Sequence, residues 1–245
     1  DVHLWLDGSS ENIIKSDWLI HAVLIGILFI TIFNIYAFCI QKVGITITSV
    51  INKMSFIIPV IASTILYKNE FFSFYILIGI TLALIGIYLS STSSSSFKFN
   101  KKYLWLIAII FFGQGIVDII LNDSKFHIND NETMLFFLIL FICASFTGLI
   151  MLIFQYFSGK VNIQFKNFIW GLVFGIPNFY SILYFLKALQ SSEFINKSYL
   201  IFPLTIVGIV VTTSIVGVLI YKESLSIRNI FGILIAIMSI LIISL

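Results

Sequence analysis

Apolar residues occur along this chain in long stretches separated by short polar segments. A helix needs about 20 apolar residues to cross the ~30 Å hydrocarbon layer of a bilayer. Lipid offers no partner for an unpaired backbone group, and the alternation typical of membrane strands is absent from the stretches. The pattern therefore predicts an all-α membrane protein with eight transmembrane helices. They lie at about 18–40, 44–66, 71–91, 103–121, 134–156, 167–186, 194–220 and 229–245.

Composition supports this prediction and excludes other classes of protein. Hydrophobic residues make up 60% of the chain and charged residues 10%, whereas soluble domains are about 25% charged. The net charge is +3, but the basic residues form no stripe, so no nucleic-acid partner is expected. Cys39 and Cys143 each lie in an apolar stretch and are predicted to be packing residues, without a disulfide or a metal.

A sequence pattern from the second stretch recurs in the seventh. Aligning 34–60 with 178–204 without a gap gives seven identities in 27 positions. The identical pairs are Asn34/Asn178, Tyr36/Tyr180, Ile51/Ile195, Asn52/Asn196, Lys53/Lys197, Ile57/Ile201 and Pro59/Pro203. Shared Asn, Lys and Pro at fixed spacing indicate an internal duplication, which is typical of transporters built from two related halves.

The repeat continues beyond the prolines, with a difference in spacing. Tyr67-Lys68-Asn69-Glu70 resembles Tyr221-Lys222-Glu223, and Gly79-Ile80 with Ala83 resembles Gly232-Ile233 with Ala236. The second copy has additional residues after Pro203, so we predict a long seventh helix that is tilted or broken near this proline.

The two halves are unequal in length. The first half holds three stretches, which match the last three of the five in the second half. We predict that two helices preceding Asp1 are missing from a ten-helix bundle of two five-helix repeats. Residues 1–91 would form the incomplete first repeat, the Ser- and Lys-rich segment 92–102 a linker, and residues 103–245 the second repeat.

Repeats with an odd number of helices must enter the membrane from opposite sides. The second and seventh helices are therefore predicted to run antiparallel, in the inverted-repeat plan of secondary transporters. Eight basic residues lie in loops on one face and four on the face that holds residues 1–17. The positive-inside rule then predicts that residues 1–17 are extracytoplasmic.

The repeated polar residues are the candidate substrate-binding residues. Lys53 lies nine residues after Gly44, roughly 14 Å along its helix at 1.5 Å per residue. A lysine at that depth costs about 2.5–3.5 kcal/mol on insertion scales. Lys53 and Lys197 are predicted to contact an anionic group of a substrate in a shared wet cavity. The competing interpretation is snorkelling, in which the long side chain reaches the interface; it fits Lys197 better than Lys53.

The other repeated polar residues have the same two interpretations. Asn52 and Asn196 either line the cavity or hydrogen-bond a neighbouring helix. Asn34, Tyr36, Asn178 and Tyr180 are predicted to form its wall, with ordinary packing as the alternative.

Several other residues are predicted to have no role in binding or catalysis. Gly171 and Gly175, like Gly79 and Gly86, are predicted to allow close helix contacts. Asp118 and His21 are expected at interfaces, close to the ends of their stretches. The chain contains neither the HExxH nor the GxSxG motif, and we found no His/Asp pair and no phosphate-binding loop in the sequence. No enzymatic activity, cofactor or metal is therefore expected.

Together these motifs resemble the EamA domain of the drug/metabolite transporter superfamily. The similarity lies in the helix with a mid-span proline, the aromatic-Lys turn with a glutamate, and Gly-Ile-x-x-Ala on the last helix, in 51–83 and 195–236. The resemblance implies ten helices in two inverted repeats around a central cavity, and transport of amino acids, sugars, nucleotide sugars or other small metabolites. The chain departs from it in the absent first two helices and in the additional residues after Pro203.

The predicted function is secondary transport of a small polar or anionic metabolite by alternating access, in the plasma (inner) membrane. The partners would be the lipid bilayer, the substrate and a coupling proton or ion. The alternative is a non-transporting membrane scaffold or assembly subunit, in which the polar residues serve only helix packing. A membrane enzyme acting on lipid-linked substrates would need a cluster of acids and bases, which the sequence does not contain.

Overall fold

The computed structural model describes residues 16–66, 74–91, 101–159, 164–191, 193–220, 222 and 226–243. In this part of the chain every regular element is a helix. The α-helices are α1 (Trp18–Val43), α2 (Ile45–Met54), α3 (Ile57–Leu66), α4 (Phe74–Ser91), α5 (Leu104–Ser124), α6 (Thr133–Phe157), α7 (Phe165–Gln190), α8 (Ser198–Leu219) and α9 (Ile227–Ile243). Short 3-10 helices at Lys101–Tyr103 and Asp130–Glu132 precede α5 and α6.

The helices match the eight predicted stretches, with α2 and α3 together forming the second. Six are long and apolar enough to cross a membrane, and α4 and α9 are shorter apolar helices. Large apolar side chains such as Phe154, Phe157 and Phe174 are exposed on their surfaces, as expected where lipid replaces water. The protein is thus an all-α, multi-pass membrane protein.

The chain divides into two compact units, each built from separate segments. Within the described residues, one unit comprises 16–31 together with 123–187, and the other comprises 32–122 together with 188–243. The predicted repeats, divided at 92–102, are defined by their similarity in sequence. Compact units do not test that similarity, so the division into repeats stays a prediction. Residues 92–100 of that linker lie outside the described residues.

The first unit is held together by aromatic contacts between α1, α6 and α7. The buried Trp18 ring lies edge-on to Phe136, with 6.2 Å between the ring centroids. Phe179 of α7 approaches both Phe137 and Phe141 of α6 with centroid distances of 5.8 Å. Edge-to-face pairs of this kind add to the free energy gained from apolar burial.

In the second unit, α4 packs tightly against α9. Gly86 faces Gly232 and Ala236, while Gly232 in turn faces Leu89 and Ser90. Because positions later in α4 meet positions earlier in α9, the two helices run antiparallel. The side-chain amide of Asn229 donates hydrogen bonds to the carbonyls of Ser90 (2.8 Å) and Leu89 (3.3 Å). Asn229 therefore satisfies acceptors that the end of α4 leaves open.

A tight turn at Gly44 connects α1 to α2. Gly44 has φ 101°, a conformation that only glycine adopts without strain. The Thr48 hydroxyl donates to the Gly44 carbonyl at 2.8 Å and lies 3.3 Å from the Cys39 sulfur. Cys39 itself packs with Leu106 and Ile110, as the prediction of a packing cysteine requires.

Candidate functional site

The second span is interrupted immediately after its lysine. The helix α2 ends at Met54, and α3 begins at Ile57. Pro59 has no N–H to offer the Ser55 carbonyl, which instead accepts a hydrogen bond from the Ile58 N–H at 3.0 Å. The Ser55 hydroxyl donates to the Asn52 carbonyl at 2.6 Å. The break is thus a local consequence of the proline, and the serine hydroxyl satisfies a carbonyl there.

Asn52 and Lys53 lie in the last turn of α2, next to the break. Both are partly buried, and Ser55 and Phe56 in the break are buried. Irregular backbone at membrane depth is tolerated where protein covers it or where it lines a water-filled cavity. A lysine in the last turn also interacts favourably with the partial negative charge at the end of a helix. Lys53 therefore lies next to the irregular backbone of the break.

The second copy of the pattern has a different local structure. Ile195 and Asn196 lie in a turn, and Lys197 immediately precedes Ser198, the first residue of α8. Asn196 and Lys197 are exposed. The predicted start of this span at residue 194 is therefore four residues too early. Lys197 lies at a helix end, where an exposed ammonium needs no cavity.

Of the two alternatives predicted near Pro203, a tilt or a break, the break is wrong and the tilt stays a prediction. The helix α8 continues through Pro203 to Leu219, and the discontinuity lies in the first copy instead. Pro203 removes one backbone hydrogen bond, to the carbonyl four residues earlier. The two spans have the same length of 22 residues, so the positions of the prolines within them differ more than the spans do. Pro203 lies close to the start of α8, where only one turn precedes it. Pro59 lies in the interior of the second span, where the lost hydrogen bond would have joined two turns of helix.

Asn34 and Tyr36 lie in α1, in the same compact unit as Lys53. Both are partly buried. Tyr36 packs against the buried cluster of Cys39, Leu106 and Ile110 and forms a side-chain hydrogen bond with Ser49. Tyr36 therefore links α1 to α2, which corresponds to the packing interpretation of this residue.

Asn178 and Tyr180 lie in α7 and belong to the other compact unit. Both are exposed. The Tyr180 ring is stacked with that of Tyr184 at a centroid distance of 6.2 Å. Of the eight candidate residues, the unit that contains the break includes Lys53, Asn52, Lys197, Asn196, Asn34 and Tyr36.

Asp118 is deeper in its helix than expected. The helix α5 extends to Ser124, so Asp118 lies well before the helix end, and its location at an interface stays a prediction. The Gln114 side-chain amide donates to the Asp118 carboxyl oxygen at 3.0 Å. The four-residue spacing places the two side chains on one face of α5.

The prediction that the chain lacks a paired His/Asp cluster is wrong, because the structure brings three such residues together. His21 lies in the first turns of α1, Asp123 near the end of α5, and His127 in the following turn. One carboxyl oxygen of Asp123 is 2.9 Å from His21 Nε2 and 3.7 Å from His127 Nε2. The four-residue spacing of Asp123 and His127 was a signal in the sequence, but nothing in it indicated that His21 is their neighbour.

Comparisons with known proteins give one similarity and no family. No family model matches the chain. The chain is similar to an uncharacterized protein of Haemophilus influenzae, with 28% identity over 212 residues. The aligned region covers 86% of this chain and 70% of that protein.

Proposed function

We propose that this protein is a secondary transporter of the plasma (inner) membrane that moves a small polar or anionic metabolite by alternating access. The observation that carries the proposal is the interrupted second span, in which Asn52 and Lys53 lie directly before the break at Ser55–Phe56. Discontinuous helices near the midplane form the substrate and ion sites of many secondary transporters.

The charges at the break favour an anionic group on the substrate. Lys53 contributes an ammonium group, and α3 begins four residues later at Ile57. The start of a helix carries partial positive charge, so it also attracts anions, although the N–H groups of Ile58 and Val60 are already bonded to backbone carbonyls here. The two features have the same sign and are close in sequence, so a carboxylate or phosphate can interact with both.

The pairing of α4 with α9 supports the inverted-repeat plan. These are the last helices of the two proposed repeats, and they run antiparallel, with Gly86 opposite Ala236 and Ser90 opposite Gly232. A two-fold axis in the membrane plane, as in inverted repeats, makes equivalent helices run in opposite directions. The resemblance to the EamA domain implies the same arrangement, and its Gly-Ile-x-x-Ala motif includes Gly232 and Ala236 of this contact.

The transport of metabolites into proteoliposomes tests the proposal. The complete gene product would be reconstituted and supplied with labelled organic acids, amino acids and sugar phosphates. We expect Lys53→Ala to lower uptake of the substrate about 10- to 100-fold, which corresponds to the loss of one hydrogen bond to a charged group. Lys53→Arg should retain part of the uptake because it keeps the charge.

Lys42→Ala is the matched control for this experiment. Lys42 is an exposed lysine at the end of α1 whose ammonium lies over the Phe38 ring, so its removal should leave uptake unchanged. If folded wild-type protein takes up none of these substrates, the scaffold alternative replaces transport. Equal uptake by the wild type and Lys53→Ala would instead exclude Lys53 from the substrate site.

A further inference from the structure

The cluster of His21, Asp123 and His127 has the composition of a metal site. Its three potential ligand atoms lie within 4.8 Å of one another. In a tetrahedral zinc site with bonds of about 2.0–2.1 Å, neighbouring ligand atoms are separated by about 3.3 Å. The distances from the Asp123 oxygen, 2.9 Å to His21 and 3.7 Å to His127, lie on either side of that value. Small side-chain rotations would accommodate the ion.

His21 lies between two hydrogen-bond acceptors. Its Nδ1 lies 3.1 Å from the Asp17 backbone carbonyl, and its Nε2 lies 2.9 Å from a carboxyl oxygen of Asp123. When Nδ1 donates to the carbonyl, Nε2 presents a lone pair to the carboxylate. A metal ion between Nε2 and the carboxylate would bind both groups.

The neighbouring His127 offers a second imidazole ligand. The rings of His21 and His127 are stacked, with centroids 5.0 Å apart and planes 25° from parallel. A metal ion can use both rings in their neutral form. The hydrogen bond from Nδ1 to a backbone carbonyl is also the usual outer contact of a histidine ligand.

We propose that His21, Asp123 and His127 bind one Zn²⁺ ion, with a fourth coordination position open to water. Two imidazoles and a carboxylate suit zinc better than magnesium or calcium, which prefer oxygen ligands alone. His21, Asp123 and His127 are 15%, 40% and 35% exposed, so an ion can reach them. Bound zinc would fasten the start of α1 to the turn after α5, independently of any transport.

Zinc titration of the purified protein tests the site. The full chain, isolated in detergent with a tag that lacks histidine and treated with a chelator, would be titrated with Zn²⁺ by calorimetry. We expect one ion per chain and a higher melting temperature with zinc. Asp123→Asn and His127→Ala should each weaken binding at least about 100-fold, since the loss of an outer partner alone costs 10- to 100-fold. Glu193→Gln, which removes an exposed carboxylate elsewhere, should bind like the wild type.

Cobalt provides a second readout that does not depend on the variants folding. Co²⁺ in a tetrahedral site of nitrogen and oxygen ligands should give a visible absorption band in the wild type, which excess Zn²⁺ abolishes. A wild-type protein without this band and without saturable zinc binding would overturn the proposal. A near-ultraviolet band from a thiolate would overturn the ligand assignment, because it would require a cysteine such as Cys143.

Discussion

Gly86 and Ala236 lie so close together that a Cβ atom on the glycine would be 2.6 Å from the Ala236 backbone nitrogen. On the partner helix, a Cβ atom on Gly232 would meet the backbone of Leu89 and Ser90. Neither neighbour is the end of a flexible side chain, so neither can move aside without shifting a helix. Glycine at both positions is therefore what allows α4 and α9 to approach each other.

Substituting either glycine should separate these two helices. For Gly86→Ala and Gly232→Ala we expect a loss of about 1–3 kcal/mol, as for other overpacked positions. The loss would be measured as a lower melting temperature in detergent. Gly171→Ala is the control because, among the described residues, no atom lies within 4 Å of its added Cβ. An equal decrease in all three variants would contradict the expected role of the α4–α9 contact.

The amide of Asn229 should contribute measurably to the same helix pair. Asn229→Ala removes the hydrogen bonds to the Ser90 and Leu89 carbonyls, which are worth about 1 kcal/mol each. We expect a decrease of about 1–2 kcal/mol in stability toward denaturing detergent. Asn167→Ala, at an exposed position of α7, should have little effect. Equal stability of the two variants would show that water replaces the Asn229 amide without cost.

Removing the proline beside the break tests whether the interruption matters for transport. In Pro59→Ala the new N–H can donate to the Ser55 carbonyl, so we expect the second span to become a continuous helix. Thermal stability should rise while uptake falls. Pro203→Ala is the matched control because α8 is already continuous, and its uptake should equal that of the wild type. Full uptake by Pro59→Ala would show that transport does not depend on the break.

Sequence reasoning located the helices well because their length and apolarity are local properties. It was less successful with helix ends and interruptions. A break was predicted only near Pro203, as the alternative to a tilt, yet the chain breaks before Pro59 and continues through Pro203. A proline removes one hydrogen bond, and that loss matters less near the start of a helix, where Pro203 lies, than in the interior of a span, where Pro59 lies.

The contacts between helices were the hardest features to predict. Gly171 and Gly175 were expected at a helix contact, but in the described part of the chain an added Cβ at either position would meet nothing within 4 Å. Gly86, considered with them, does lie at such a contact. Spacing reveals that small residues are present and does not reveal which neighbour they face. For the same reason, the sequence did not predict the contact of His21 with Asp123, which is 102 residues away.

The pairing of α4 with α9 also sets the order in which this protein can mature during synthesis. Asn229 lies 139 residues beyond the Ser90 carbonyl to which it donates. When α4 leaves the ribosome, its partner has not yet been translated. Its apolar surface must therefore rest against lipid or the insertion machinery until the later helix arrives. The closest helix contact in this unit would then be among the last to form.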